Sequence, residues 1–165
     1  MATEAPTEIS VALKQFLTFT DFCPPRWKAF DLYMISDEQV TFYVGQSQCA
    51  FNRLWEHIRG GPKGHALLGR FILCNWPHSA AWTVTLLSSR GARFECVGQD
   101  RDAAEQLLIE DLRPCLNVSL NHQPTPLPAG YLPPNTPVKN FRSFRRMLRE
   151  AGYAPRSSPE DEEWE

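Results

Sequence analysis

Six prolines fall between residues 124 and 137: Pro124, Pro126, Pro128, Pro133, Pro134 and Pro137. Proline fixes φ and offers no amide donor, so this stretch builds neither a helix interior nor a central strand. The core is expected in the residues before it. The stretch 121–137 reads as an extended linker or surface arm. It divides the core from a short basic helix within 138–152 and a tail at 153–165. Gly152 is where that helix should stop, because glycine takes the left-handed C-terminal conformation at little cost.

Before the arm, the pattern is mixed α/β. Ile9, Ala12, Leu13, Phe16 and Leu17 fall at helical spacing, which predicts an amphipathic helix in an N-terminal extension, 1–28. The Pro24-Pro25 pair ends that extension. Residues 30–36 and 40–46 are short and rich in aromatic and β-branched types, and Asp37-Glu38-Gln39 lies between them. This predicts an antiparallel hairpin, with Tyr33 directly opposite Tyr43 if the turn centres on Glu38. Phe51, Leu54, Trp55 and Ile58 form the apolar stripe of a helix over 49–59 that closes at Gly60-Gly61. A second helix over 65–74, a third strand over 81–88, an irregular excursion over 90–101 and a helix over 103–113 follow. Asp102 is the expected N-cap of the last helix. The expected core is thus a small three-stranded antiparallel sheet flanked by helices, an α+β arrangement spanning 29–120.

The chain carries a net charge of −2, which on its face argues against nucleic acid. The sign is a local effect. The last six residues, EDEEWE, hold five acids, and without them 17 basic residues face 14 acidic ones. Between 139 and 156, Lys139, Arg142, Arg145, Arg146, Arg149 and Arg156 stand against Glu150 alone. That run is either a solvated helix face or a phosphate-contacting one screened by the acidic tail. The five cysteines are scattered without a CxxC pair, which suits free thiols in a reducing compartment better than a disulfide scaffold or zinc finger. The opening MATEAPTE lacks the basic and apolar regions of a targeting segment, and no run approaches the ~18 apolar residues of a membrane span. These features predict a cytoplasmic protein without membrane association.

Several polar residues sit where they can share a site. Tyr33 and Tyr43 fall on one sheet face, although tyrosines also pair across strands purely for packing. Arg53 and His57, four apart, share a helix face, as ordinary surface residues do too. Glu105 lies three residues after Asp102, which equally suits a capping box. Asn117 follows Arg113-Pro114 and could simply close the helix end.

The order Asp31-Leu32-Tyr33, Tyr43-Val44-Gly45, Arg53-x3-His57, Glu105 and Arg113-Pro114-x2-Asn117 resembles the GIY-YIG nuclease superfamily. The Glu-x11-Asn spacing is similar to the nuclease module of the bacterial excision-repair incision subunit. The Tyr-Val-Gly and Arg-x3-His stretches are similar to phage homing and restriction endonucleases. Asp31-Leu32 replaces the usual Gly-Ile.

The resemblance implies a metal-dependent DNA endonuclease with catalytic residues Tyr33, Tyr43, Arg53, His57, Glu105 and Asn117. One Mg²⁺ or Mn²⁺ ion would sit on Glu105, the single carboxylate of the set, as a Lewis acid stabilising the leaving oxygen. Arg53 would hold the scissile phosphate, one tyrosine would take the proton from water, and His57 would relay it. A phenol near its ordinary pKa of ~10 is a poor base, so a cation should lower it. Gln46, Ser47, Lys63, Arg70, Arg113, Arg142, Arg145, Arg146 and Arg149 are candidate phosphate contacts. Duplex or branched DNA is the implied partner. Cutting both strands would require a homodimer or sequential nicking, and the acidic tail suits a protein partner. The competing reading is a catalytically silent nucleic-acid-binding or assembly module that keeps the nuclease fold.

Overall fold

The computed structural model describes residues 6–19, 22–61, 66–137 and 144–152, with backbone alone for 144 and 145. Lys63, Lys139, Arg142, Arg156, the side chain of Arg145 and the acidic tail lie outside the described residues.

Four strands form one antiparallel sheet: β1 (Glu8–Ala12), β2 (Leu32–Ser36), β3 (Thr41–Gln46) and β4 (Thr83–Leu87), in the spatial order β1-β4-β2-β3. The helices are α1 (Leu13–Leu17), α2 (Ala50–Gly60), α3 (Leu67–Cys74), α4 (Arg101–Leu112) and α5 (Phe144–Glu150). The mixed α/β class is as expected, but the sheet has four strands rather than three. The expected N-terminal helix divides in two. Residues 8–12 pair with β4, from Glu8 opposite Leu87 to Ala12 opposite Thr83, and helix begins only at Leu13. Ile9 and Val11 are β-branched and suit a strand. β4 leaves one edge open, and pairing satisfies backbone groups that a five-residue segment cannot satisfy alone. Residues 8–12 of the N-terminal extension are therefore integral to the sheet.

The sheet separates two apolar layers. Tyr33, Ile35, Val84 and Leu86 face a large core with Leu13, Phe16, Phe51, Trp55, Ile58 and Phe71. Leu32, Met34, Val44 and Leu87 face a smaller one with Phe94, Ala104, Leu108 and Ile109. Trp55 and Trp82 are both core residues, 2% exposed.

The hairpin register differs from expectation. Tyr33 lies opposite Gly45, and Tyr43 opposite Ile35, with an irregularity between Ile35 and Ser36. The turn is built by Asp37, whose Oδ1 accepts from the amides of Gln39 (2.8 Å) and Val40 (2.7 Å). This side-chain turn spans one residue more than a turn centred on Glu38. The offset is two positions, so both tyrosines keep the same face, one diagonal step apart.

The N-cap of α4 is Asp100, not Asp102: its Oδ2 accepts from Ala103 N at 3.0 Å. Asp102, in the first turn, instead accepts from Gln46 Nε2. Glu105 is thereby no capping-box partner of Asp102.

The proline-rich stretch is a strap bound to the core rather than a free linker. Asn75 exchanges two hydrogen bonds with the backbone of Leu132, at 2.9 and 2.8 Å. Arg70 donates to the carbonyl of Thr136 (3.1 Å), and the Tyr131 hydroxyl donates to Asp37 Oδ2 (2.7 Å). The described part of the basic helix buries Met147 and Leu148, and Trp76 Nε1 donates to Glu150. Gly152 follows with φ +93°, the left-handed stop expected there.

Candidate active site

The site is built on the start of β2, the middle of β3, one face of α2 and the first turns of α4. β2 directs Tyr33 into the large core, where it is 2% exposed. Its ring stacks on Tyr43 (centroids 6.1 Å, 26°) and tilts toward His57 (5.8 Å). The Tyr33 hydroxyl and His57 Nε2 are 2.8 Å apart. Tyr43 meets the same imidazole nearly edge-on at 5.6 Å. The two phenols and His57 thus form one aromatic cluster with polar tips together.

Gly45 makes room for it. A Cβ at this position would lie 2.8 Å from Tyr33 Cε1 and closer still to the end of the ring. Tyr33 is buried and held by both neighbours, so it cannot step aside cheaply. Gly45→Ala is expected to destabilise the fold by about 1–3 kcal/mol by overpacking. It should also break the Tyr33–His57 hydrogen bond. A urea midpoint and a His57 ring NMR spectrum both identical to wild type would contradict this placement.

Arg53 stands one turn before His57 and pairs with Glu56 at 2.8 Å, both side chains about half exposed. Glu105, half-buried on α4, is near enough to Tyr33 and Tyr43 to raise the pKa of both phenols. For both, burial is the largest cause and Arg53 opposes it. Arg53 lowers both phenols as expected, but burial outweighs it, so the resting phenols are held protonated. Glu105 is itself raised, by burial and then by Asp102. His57 is lowered to about 4 by burial and by Arg53. At neutral pH the centre therefore pairs a neutral phenol with a neutral imidazole.

The His57 shift has a consequence for stability. A basic group whose folded pKa is depressed from 6.5 to about 4 contributes stability present above pH 6.5 and lost as pH falls toward 4, because the unfolded chain takes the proton first. Urea midpoints measured from pH 7 to pH 4 should fall more steeply in the wild type than in His57→Gln. Equal slopes would remove His57 as the titrating group.

Asn117 acts through the backbone. Its Oδ1 accepts from Val44 N (2.9 Å) and its Nδ2 donates to Val44 O (2.8 Å). It closes the outer edge of β3 beside Tyr43 and does not close α4. That helix ends at Arg113, which takes φ +46°.

Among the described residues, four of the nine expected phosphate contacts have partners of their own. Gln46 holds Asp102, Ser47 Oγ accepts from Cys49 N at 3.4 Å, Arg70 binds the strap, and Arg146 pairs with Glu150 at 3.4 Å. Two acids lie beside the site that were not among its expected residues, Glu56 and Asp102, the latter expected only as an N-cap. The i, i+3 spacing of Arg53 and Glu56 was the available signal for the first. For the second there was none, since Gln46 and Asp102 meet only through the packing of α4 on β3.

Comparison with protein-family models, with curated proteins and with solved structures finds no match for this chain. No described helix is long and apolar enough to cross a membrane.

Proposed function

We propose that the chain is a metal-dependent endonuclease that hydrolyses phosphodiester bonds in DNA, with Tyr33, Tyr43, Arg53, His57 and Glu105 as its catalytic residues. The observation that carries this reading is the 2.8 Å contact between the Tyr33 hydroxyl and His57 Nε2. A buried phenol becomes a base only if something takes its own proton, and a neutral imidazole at that distance is such an acceptor. Tyr33 passes its proton to His57 as it receives one from the attacking water. Tyr43, stacked beside it, orients that water or the phosphate. Arg53 lies at the half-exposed rim, and its guanidinium can exchange Glu56 for a non-bridging phosphate oxygen. Asn117 positions Tyr43 by fixing the backbone of Val44.

The donor set suits a hard divalent ion that keeps much of its water. Glu105 offers one half-buried carboxylate, and no group of three His, Cys, Asp or Glu ligands exists among the described residues. Mg²⁺ needs only one or two carboxylates beside substrate phosphate and water. Bound there, it would supply Lewis-acid stabilisation of the leaving 3′-oxygen.

The test is nicking of supercoiled plasmid, and cutting of branched and single-stranded DNA, by the purified chain with Mg²⁺, Mn²⁺ or EDTA. Cleavage with either metal and none in EDTA is the expected result. Absence of cleavage on all three substrates with both metals overturns the proposal in favour of a silent binding or assembly module.

A further inference from the structure

Two of the five unbridged cysteines, Cys23 and Cys49, meet although 26 positions separate them in the chain. The backbone brings them together in three steps. Trp27 N donates to Pro24 O (2.9 Å), Phe30 N to Trp27 O (3.2 Å) and Ala50 N to Phe30 O (2.9 Å). The short 3-10 turn Pro25–Trp27 is thereby seated near the first turn of α2, where the Trp27 ring packs on Phe51 at 6.1 Å.

Cys23 enters that turn, with its Sγ 3.5 Å from the Pro24 carbonyl oxygen. Cys49 is the extended residue just before α2, and its side chain makes no capping bond to the helix. Its sulfur is therefore left for Cys23, and the two thiols share a hydrogen bond. Both pack at the margin of the large core, half-buried rather than sealed, so a small oxidant can reach them. Thiols already in contact need only side-chain rotation to reach the ~2 Å of an S–S bond.

The pair is also chemically unequal. Burial, and then Cys49, push the Cys23 thiol up to about 11, with Lys28 opposing. Cys23 thus keeps its proton at neutral pH, and the first attack on an oxidant falls to Cys49.

We infer that Cys23 and Cys49 form a site of reversible oxidation, closing to an intramolecular disulfide when the protein meets hydrogen peroxide. The Cys49 thiolate attacks one peroxide oxygen and the O–O bond breaks. The hydroxide that leaves takes up the proton Cys49 has lost, giving water and a Cys49 sulfenic acid. The Cys23 sulfur then attacks the Cys49 sulfur, and its proton departs with the displaced hydroxide as a second water. Two thiols lose two electrons, and one peroxide becomes two waters. The bridge would anchor the first turn of α2, where Arg53 N donates to Cys49 O at 3.1 Å. This inference rests on the packing of residues 23–30 against α2 and is independent of any nuclease activity.

The test treats the full-length protein with a small excess of hydrogen peroxide at neutral pH, blocks the remaining thiols and digests with trypsin. Cleavage after Lys14, Arg26, Lys28 and Arg53 places Cys23 in peptide 15–26 and Cys49 in peptide 29–53, each with no other cysteine. The expected product is a monomeric chain lighter by two hydrogens, with these two peptides linked and the free-thiol count reduced from five to three. Its urea midpoint should exceed that of the reduced protein, because the bridge restricts the unfolded chain. Dithiothreitol should reverse both changes. In Cys23→Ser, peroxide should leave a Cys49 sulfenic acid that dimedone captures. Linkage of other cysteines in place of this pair, a bridge between two copies, sulfinic acid at Cys49 without the linked peptides, or a lowered urea midpoint overturns the inference. Absence of the dimedone adduct overturns the assignment of the first attack to Cys49.

Discussion

Gly69→Ala is expected to lower the unfolding free energy by about 3 kcal/mol or more, at the upper end of what overpacking does. α2 and α3 meet at glycines. A Cβ on Gly69 would lie 2.8 Å from Gly61 Cα and closer still to the carbonyl oxygen of His57. Both obstacles are backbone, and the His57 carbonyl already accepts from Gly61 N at 3.1 Å. No rotamer change relieves the clash, so the helices must separate and open a gap in the large core. His57 belongs to the turn that would be displaced, so loss of stability and loss of the Tyr33–His57 contact should appear together. Gly130→Ala is the control, since a Cβ there meets nothing within 4 Å. Its unfolding free energy should stay within about 0.5 kcal/mol of wild type. A Gly69→Ala protein as stable as this control would refute the helix contact.

Glu105→Gln is expected to reduce metal-dependent cleavage by about a thousandfold, the scale of removing one group that stabilises charge in the transition state. The same change should leave the fold intact. Glu105 pays for its half-buried position through burial and through repulsion by Asp102, both of which raise its pKa. Neutralising it removes that repulsion, so the urea midpoint should be unchanged or slightly raised. Stability and activity thus move independently, which separates a catalytic carboxylate from a structural one. Full cleavage by a folded Glu105→Gln protein would remove Glu105 from the site.

Several elements were legible in the chain because their information is local. The stripe Phe51, Leu54, Trp55, Ile58 predicts α2, and the apolar face is the one buried. The alternation around Tyr33 and Tyr43 predicts a hairpin, and a register error of two positions left both on one face because strand periodicity is two. The Arg53-x3-His57 spacing puts both side chains on one helix face whatever α2 packs against. The stop at Gly152 follows from glycine's own conformational freedom.

The rest depended on partners distant in sequence. Residues 8–12 fit helical and strand spacing equally well, and the open edge of β4, more than 70 positions away, decided for a strand. Asp100 and Asp102 are both acceptable caps by type. Gln46, from the neighbouring β3, engages Asp102, while Asp100 caps the helix. Proline content predicts an extended segment but cannot say whether it docks; Asn75, Arg70 and Asp37 supply the groups that hold it. The titration of the site was likewise not local, because the phenols rise through burial that only the packed sheet imposes.

By itself, then, the sequence determined which residues have helical or strand periodicity, where the chain must stop or turn, and which polar residues share a face. These are properties of steric geometry within a few residues. Only the tertiary structure decided that residues 8–12 complete the sheet, that the strap docks on the core, and that Tyr33 meets a neutral His57. Burial, edge pairing and long-range hydrogen bonds are set by what the folded chain places alongside each residue.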